Sequence, residues 1–330
     1  MTGEMIDPGS PIAFGLAILC AAVMGYSIQH GGTCTVAAVG QVLNERRAGR
    51  ALALLECSLW VLALGLAVTA AGLHFNASPG YPLGLGVLLG GALLGLGAWL
   101  NDACVFGSIA RIGKGDLHFL LTPPGYFFGS LLHARLVGPF AKGFAPSPIS
   151  GLAFVVPLVL FGASLLLSVR HLHAARRSRS PIGTLWDYRH ATIAIGITFV
   201  VLSVVAGPWT YTEALGKAAH GGALPNTSNL LLCAALIGGA IVGGWQSAAA
   251  VQFAMRRALT CLFGGALMGL GGSLVPGGND NLVLAGLPGL QPHAWLAIAT
   301  MVLTIAASLL VNARWRRLRL AGSFGRVNRN

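Results

Sequence analysis

The sequence contains few charged residues, and this scarcity excludes an ordinary soluble domain. Only 9% of its 330 residues are Asp, Glu, Lys or Arg, and 55% are hydrophobic, whereas a soluble domain carries about 25% charged residues. The mean hydropathy is +0.74, and the apolar residues occur in runs long enough to cross a bilayer, which takes about 20 residues each. We therefore predict an all-α polytopic membrane protein.

Acidic residues are scarcer than basic ones, nine against 21, so the formal net charge is +12. A positive excess of this size can indicate a nucleic-acid partner. Here the basic residues cluster at the ends of apolar runs, where they set membrane topology and meet anionic lipid. We expect them at the cytoplasmic face and predict no nucleic-acid partner.

Several motifs of enzymes and metal proteins are missing. The six cysteines show no CxxC and no His-rich metal spacing, and no Walker motif, kinase signature or GxSxG triad context occurs. We therefore predict no cofactor, no metal and no catalytic residues. Four cysteines lie inside apolar runs and are expected to pack as small hydrophobic residues. They are Cys20, Cys57, Cys233 and Cys261.

Nine apolar segments are predicted to span the membrane. Their approximate bounds are Pro11–Gln29, Ala51–Leu73, Leu83–Leu100, His118–Leu136, Ile149–Val169, Ala191–Gly207, Asn229–Ala254, Ala258–Val275 and His293–Val311. Glu4 and Asp7 precede the first segment, with no Lys or Arg. Because a cleaved signal peptide begins with basic residues, we predict that the first span is retained.

The distribution of basic residues orients the spans. With the Arg46–Arg50 loop in the cytoplasm, all but three of the 21 Lys and Arg residues fall on the cytoplasmic side. The three exceptions are Arg135, Lys142 and Lys217. This asymmetry predicts an outside N-terminus and a cytoplasmic C-terminus in a bacterial inner membrane. The polar stretch His171–Gly183 is then a cytoplasmic linker.

One glycine-rich block occurs twice. GGALLGLGAWL begins at Gly90 and GGALMGLGGSL at Gly264, 174 residues later, with eight of eleven positions identical. The same offset places the first span on the sixth, the second on the seventh and the fourth on the ninth. Matching spans are therefore five apart and cross in opposite directions, as in the inverted repeats of secondary transporters. The predicted units are repeat one (1–148), the fifth span with its linker (149–185), repeat two (186–313) and a basic cytoplasmic tail (314–330).

Helix breaks occur at three places near the ends of spans. Gly31, Gly32 and Thr33 interrupt the chain after the first span, and a segment too short to cross, Thr35–Leu43, comes after them. Asn101 and Asp102 are N-cap residue types for a short helix over Ala103–Arg111. The matching break in the second half has the sequence Pro276-Gly277-Gly278, and the Asn279, Asp280 and Asn281 side chains can cap the short segment after it.

Short helices that begin inside a membrane protein direct free N–H groups and positive dipole ends at a shared point, which favours an anion. Cys34 and Cys104 lie at the first-half breaks, where a thiol can donate S–H to a soft ligand. Asp102 and Asp280 can lie in the interior or at the membrane surface. The predicted substrate path consists of Cys34, Cys104, His30, Gly32, Asn101, Asp102, Gly278, Asn279 and Asn281.

The sequence resembles the YeeE/YedE family of sulphur-compound transporters. The resemblance rests on GGTC after the first span, the Gly90–Asp116 block and the repeat of that block. The resemblance implies an hourglass-like fold in which cysteines pass thiosulfate along a narrow path by S–H contacts, with Cys34 and Cys104 as the first-half cysteines. The second half departs from the family pattern, because Gly278 stands where the offset pairs a residue with Cys104.

The leading hypothesis is therefore a permease, not an enzyme, for a small inorganic sulphur anion such as thiosulfate, supported by a cytoplasmic sulphur-carrier protein. The alternative is a membrane thiol oxidoreductase that uses Cys34 and Cys104, provided that the two thiols approach within disulfide reach. A scaffold without a substrate path is disfavoured, since broken helices without a cavity are costly in lipid.

Overall fold

The computed structural model describes residues 10–73, 75, 79–139, 143–144, 152–176, 186–245 and 250–327. Nearly all of this part of the chain is helical, and its β-structure is limited to two isolated bridges. The helices in chain order are α1 (Pro11–Gly31), α2 (Thr35–Glu45), α3 (Gly49–Ala70), α4 (Leu85–Asn101), α5 (Val105–Gly113), α6 (Thr122–Leu136), α7 (Leu152–Arg176), α8 (Tyr188–Ala206), α9 (Tyr211–His220), α10 (Thr227–Gly244), α11 (Met255–Leu274), α12 (Asn279–Asn281, continued by the π-helical turn Leu282–Gly286) and α13 (Pro292–Val327). A 3₁₀ turn, Leu117–Leu121, precedes α6.

The prediction of an all-α polytopic membrane protein is confirmed. Within the described ranges, seven helical stretches are long and apolar enough to cross a membrane. The predicted fourth and fifth spans correspond to α6 and α7. Helix α6 and the apolar part of α7, Val155–Arg170, are both too short to count among these seven. The count of nine spans therefore stays a prediction.

One predicted boundary is wrong, and two predicted segments are helical in part. The seventh span ends at Gly244 and does not continue to Ala254. Helix α7 continues through His171 to Arg176, so the predicted linker is helical over its first six residues, while 177–185 lie outside the described residues. The predicted basic tail is also helical, because α13 extends to Val327. A hydropathy pattern detects where apolar sequence stops, and a helix can continue beyond it in water.

The two glycine-rich blocks pack against each other in opposite directions. A Cβ atom added at Gly90, near the start of α4, would lie 2.8 Å from the carbonyl oxygen of Gly271, near the end of α11. A Cβ atom at Gly97, near the end of α4, would lie 2.6 Å from the carbonyl oxygen of Gly264 in the first half of α11. The chain directions of α4 and α11 are therefore antiparallel, as an inverted repeat requires. The glycines permit this close backbone approach.

The main contacts between long helices of the two halves have matching contacts, in which every helix is replaced by its counterpart from the other half. The pair α1–α10 has its counterpart in α8–α3, and the pair α4–α13 has its counterpart in α11–α6. Matching helices also contact each other directly, α1 with α8 and α4 with α11. This pattern is the contact set expected of two similar units related by a pseudo-two-fold axis.

Each half also contains two short helices in matching places. In the first half α2 comes after α1 and α5 after α4, and in the second half α9 comes after α8 and α12 after α11. The segment Thr35–Glu45 agrees with the predicted short helix after the first span. The beginnings of these four short helices define the candidate site.

Candidate functional site

The four short helices begin close to one another inside the protein. Their N-cap residues are Cys34 for α2, Cys104 for α5, Thr210 for α9 and Gly278 for α12. The first backbone N–H groups of a helix have no partner within that helix and carry part of its positive dipole end. Meeting in the interior, four such ends make a region that favours negative charge.

Cys34 and Cys104 cap each other's helices. The backbone N–H of Thr35 donates to Cys104 Sγ over 3.2 Å, and the backbone N–H of Cys104 donates to Cys34 Sγ over 3.5 Å. Cys104 is completely buried and Cys34 is 9% exposed. A Cβ atom at Gly107 would lie 2.5 Å from Cys34 Sγ, so only glycine leaves room for this thiol on α5.

Asn279 links the second half to both cysteine-capped helices. Its Oδ1 atom accepts a hydrogen bond from the Val105 N–H over 3.3 Å, and its Nδ2 group donates to Thr35 Oγ1 over 3.4 Å. The Asn279 side chain is fully buried. The Asn279 side-chain amide therefore binds the first residues of both α2 and α5. We call Cys34, Thr35, Cys104, Val105 and Asn279 the thiol cluster.

Helix α9 joins the thiol cluster to Asp280. The Tyr211 hydroxyl donates to the Val105 carbonyl oxygen over 2.9 Å. The Thr212 N–H donates to Asp280 Oδ2 over 3.4 Å, and the Thr212 hydroxyl donates to the other oxygen of the same carboxylate. Gly278 lies against the Thr212 side chain and leaves no room for a Cβ atom there.

The backbone N–H groups of the thiol cluster now bind weak acceptors, which an oxyanion could replace as a stronger acceptor. Three of these N–H groups, on Thr35, Cys104 and Val105, now donate to two cysteine sulphurs and one amide oxygen. A bound oxyanion would turn these contacts into charge-assisted hydrogen bonds, which are about twice as strong as neutral ones. The displaced thiols would remain beside the anion as S–H donors.

Several residues of the predicted path lie outside the thiol cluster. His30 stacks on Tyr26, with ring centroids 4.5 Å apart. Gly32 is the left-handed C-cap of α1, and its carbonyl oxygen accepts from Arg50 Nη1 over 3.0 Å. Asn281 is buried in the short helix α12.

The predicted N-cap roles of Asn101 and Asp102 are wrong. Asn101 is the last residue of α4, and Asp102 is its left-handed C-cap with φ of 60°. The N-cap of α5 is Cys104. Asp102 is 59% exposed and pairs with Arg111 and Arg257 at 3.5 and 3.4 Å. Asp residues tolerate the left-handed conformation, so the same residue type that caps a helix start can also end one.

The predicted caps of the second break need a similar correction. The N-cap of α12 is Gly278, and neither Asn279 nor Asn281 caps it with a side chain. Asp280 accepts from the Asn281 N–H over 2.9 Å, but its remaining contacts go to Thr212 on α9. Local sequence indicates the capping residue types, while the partner helix decides where those side chains bind.

Replacing Asn101 is expected to destabilise the turn that presents Cys104. Asn101 Nδ2 donates to the Ala103 carbonyl oxygen over 2.8 Å and to Ser108 Oγ over 2.9 Å, and its Oδ1 accepts from Thr122. Asn101→Ala leaves these buried groups unpaired, which costs about 1–3 kcal/mol for each. We expect a lower melting temperature in detergent, measured by intrinsic fluorescence. The exposed Asn44→Ala should match wild type, and an unshifted Asn101→Ala would contradict this role.

Sequence reasoning missed Thr35 and Tyr211 as contacts of the thiol cluster and Thr212 as the contact of Asp280. A usable signal did exist for α9, because Thr210 and Glu213 have the capping-box spacing and the Glu213 N–H donates to Thr210 Oγ1 over 3.3 Å. That signal locates the helix start but not its neighbours, since Tyr211 and Val105 are 106 positions apart in the chain.

A polytopic helical protein whose short helices meet in its interior belongs architecturally with membrane transport proteins. The family model described as sulphur transport matches residues 30–307. The chain therefore belongs to this family, and the resemblance inferred from the sequence is confirmed. A comparison with curated proteins returned no match. The protein is a multi-pass membrane protein with a role in sulphur transport.

Proposed function

We propose that the protein is a bacterial inner-membrane permease for a small inorganic sulphur-containing anion, such as thiosulfate, which binds at the thiol cluster. The observation that carries this proposal is the reciprocal capping of α2 and α5 by Cys104 and Cys34. Two soft sulphur atoms and several helix N–H groups then face one small volume, which is the donor set that a dehydrated thiosulfate ion requires.

The two ends of thiosulfate have different needs. Its oxygens accept strong hydrogen bonds, which the N–H groups of Thr35, Cys104 and Val105 provide. Its terminal sulphur is large and polarisable, and it suits the S–H groups of Cys34 and Cys104. Because burial removes the hydration shell of the anion, these donors must replace it. The missing second-half cysteine is compensated in this proposal by the Asn279 amide.

Passage requires the cluster to open. Cys104, Val105 and Asn279 have no measurable exposure, so the described conformation is closed to water on both sides. We propose that residues 1–148 and 186–313 are inverted repeats and that small displacements between them open a narrow, hourglass-like path. The basic side, including Arg111 and Arg257, faces the cytoplasm and anionic lipid, and a cytoplasmic sulphur-carrier protein receives the anion there.

A second candidate function is a membrane thiol oxidoreductase. It is favoured by the approach of Cys34 Sγ to within 3.5 Å of the Cys104 backbone nitrogen. In that function the two thiols would form a disulfide and pass two electrons to a partner. The burial of both sulphurs disfavours exchange with a second protein, since thiol–disulfide exchange requires access to the sulphur.

Growth on different sulphur sources tests the proposal. A host that lacks its own thiosulfate uptake should grow on thiosulfate as sole sulphur source when it expresses this protein. A parallel panel with sulphite, sulphide and selenium compounds identifies the preferred solute. No growth and no uptake on any of them, together with a reversible Cys34–Cys104 disulfide detected by mass spectrometry, would favour the oxidoreductase instead.

A further inference from the structure

Asp280 is a buried carboxylate without a counter-charge. Its side chain is 1% exposed, and no Lys, Arg or His of the described residues forms an ion pair with it. The other acidic residues in the described ranges are paired with a basic side chain or exposed. They are Glu45, Glu56, Asp102, Asp116, Asp187 and Glu213. Burial of an unpaired charge is costly, so such a residue in a membrane protein indicates a function.

Every contact around Asp280 is neutral. The carboxylate accepts from the Thr212 hydroxyl, the Thr212 N–H and the Asn281 N–H. The titratable side chains close enough to feel its charge are Tyr211 on α9, Tyr126 on α6 and Cys233 on α10. Glu213, the next residue on α9, is turned toward Lys217 at 2.8 Å. None of these groups supplies a positive charge.

The thiol cluster begins one residue from Asp280. Asn279 contacts Thr35 and Val105, and Asp280 contacts the first turn of α9 beside Tyr211, which in turn binds the Val105 carbonyl. An anion at the thiol cluster would therefore lie close to an ionised carboxylate in a dry interior. Like charges repel strongly there, because little water screens them.

We propose that Asp280 takes up a proton when the anion binds, so that the protein is a proton–anion symporter. This inference rests on the proposed function of the thiol cluster. The proton adds to a carboxylate oxygen, and the Thr212 hydroxyl, which can donate or accept, turns to accept from the new O–H. The binding of the anion and the binding of the proton then favour each other, as thermodynamic linkage requires.

A proton fits this environment better than a metal cation. Sodium-sized and larger cations need several oxygen ligands around them, whereas two of the three groups on Asp280 are N–H donors, which repel a cation. A coupled proton also offsets part of the electrical work of moving a dianion into a negatively charged cell interior.

Wild-type protein alone provides the first test. Thiosulfate is added to purified protein in weakly buffered detergent solution, and a pH-sensitive dye measures proton uptake. We expect about one proton per bound anion at pH values where Asp280 is ionised in the free protein. Binding of thiosulfate with no proton uptake would overturn the inference.

Proteoliposomes provide the second test, with the membrane potential clamped to zero. A gradient of one pH unit, alkaline inside, should raise thiosulfate accumulation about tenfold for one coupled proton. Asp280→Asn, which mimics the neutral acid, should keep thiosulfate exchange but lose this response and the proton uptake. The exposed Glu45→Gln should behave as wild type.

The outcomes separate the two proposals. Wild-type protein that neither binds nor exchanges thiosulfate or any other solute of the growth panel overturns the proposed function, and this inference with it. Exchange without a response to the pH gradient, or accumulation driven by a sodium gradient without proton uptake, overturns proton coupling alone. If Asp280→Asn does not fold, the proton uptake of the wild-type protein on anion binding decides whether transport is coupled to protons.

Discussion

Cys104→Ala should lower thiosulfate uptake at least tenfold while leaving the protein folded. Cys104 supplies both the sulphur that accepts from the Thr35 N–H and the N-cap of α5. Alanine removes the soft donor and leaves the Thr35 N–H without its acceptor. Loss of one hydrogen bond to a charged ligand is worth about 1.5–3 kcal/mol, which is roughly a tenfold to hundredfold change. The measurement is initial uptake of ³⁵S-labelled thiosulfate by proteoliposomes.

Two further variants distinguish the chemical role of the Cys104 thiol from the effect of removing a buried side chain. Cys104→Ser keeps an O–H donor and a capping atom, so we expect the fold to match wild type and uptake to fall between wild type and alanine. Cys261→Ala removes a buried cysteine from α11, whose side chain has no hydrogen bond to the thiol cluster, and should keep uptake. Unchanged uptake in Cys104→Ala would remove the thiol from the mechanism.

Gly239→Ala should strongly destabilise the folded protein, whereas its neighbour Gly238→Ala should not. Gly239 on α10 lies directly on the Ala22 carbonyl of α1, and an added Cβ atom would overlap that backbone and lie 2.9 Å from Ala22 Cα. Because this contact involves backbone on both sides, no side chain can move away to relieve it. Overpacking of this kind costs about 1–3 kcal/mol or more.

Gly238 provides the matched control on the same helix. A Cβ atom there has no heavy atom within 4 Å. Alanine has a higher helix propensity than glycine by about 1 kcal/mol, so Gly238→Ala should be neutral or slightly stabilising. Fluorescence-detected size-exclusion chromatography and melting temperature in detergent measure both variants. Equal behaviour of the two would contradict the close packing of α1 on α10.

The architecture could be predicted because the requirements of a membrane are visible in the composition and hydropathy pattern of the sequence. Low charge, long apolar runs and one repeated glycine block were sufficient for an all-α polytopic fold with antiparallel copies of that block. The glycines in particular report close helix contact, and Gly97 and Gly264 do approach each other. Helix ends were less predictable, since α10 ends at Gly244 although the predicted apolar run continues to Ala254.

The candidate site could be predicted only in part. Breaks at Gly32 and Cys104 identified where short helices start, and the repeat offset paired Gly278 with Cys104. The contacts across the centre could not be inferred, because Thr212 and Asp280 are brought together by tertiary packing over 68 positions. Asp102 was misplaced since the same side chain suits a buried helix start and an exposed helix end.

The central claim is that a sulphur anion binds where Cys34 and Cys104 cap each other's helices. The most direct test is a structure determined with saturating thiosulfate, in which the anomalous or map signal of the ligand sulphur is located. We expect ligand density in contact with both Sγ atoms and with the N–H groups of Thr35 and Val105. Density elsewhere, with the two thiols still bound to those helix ends as they are now, would contradict the account.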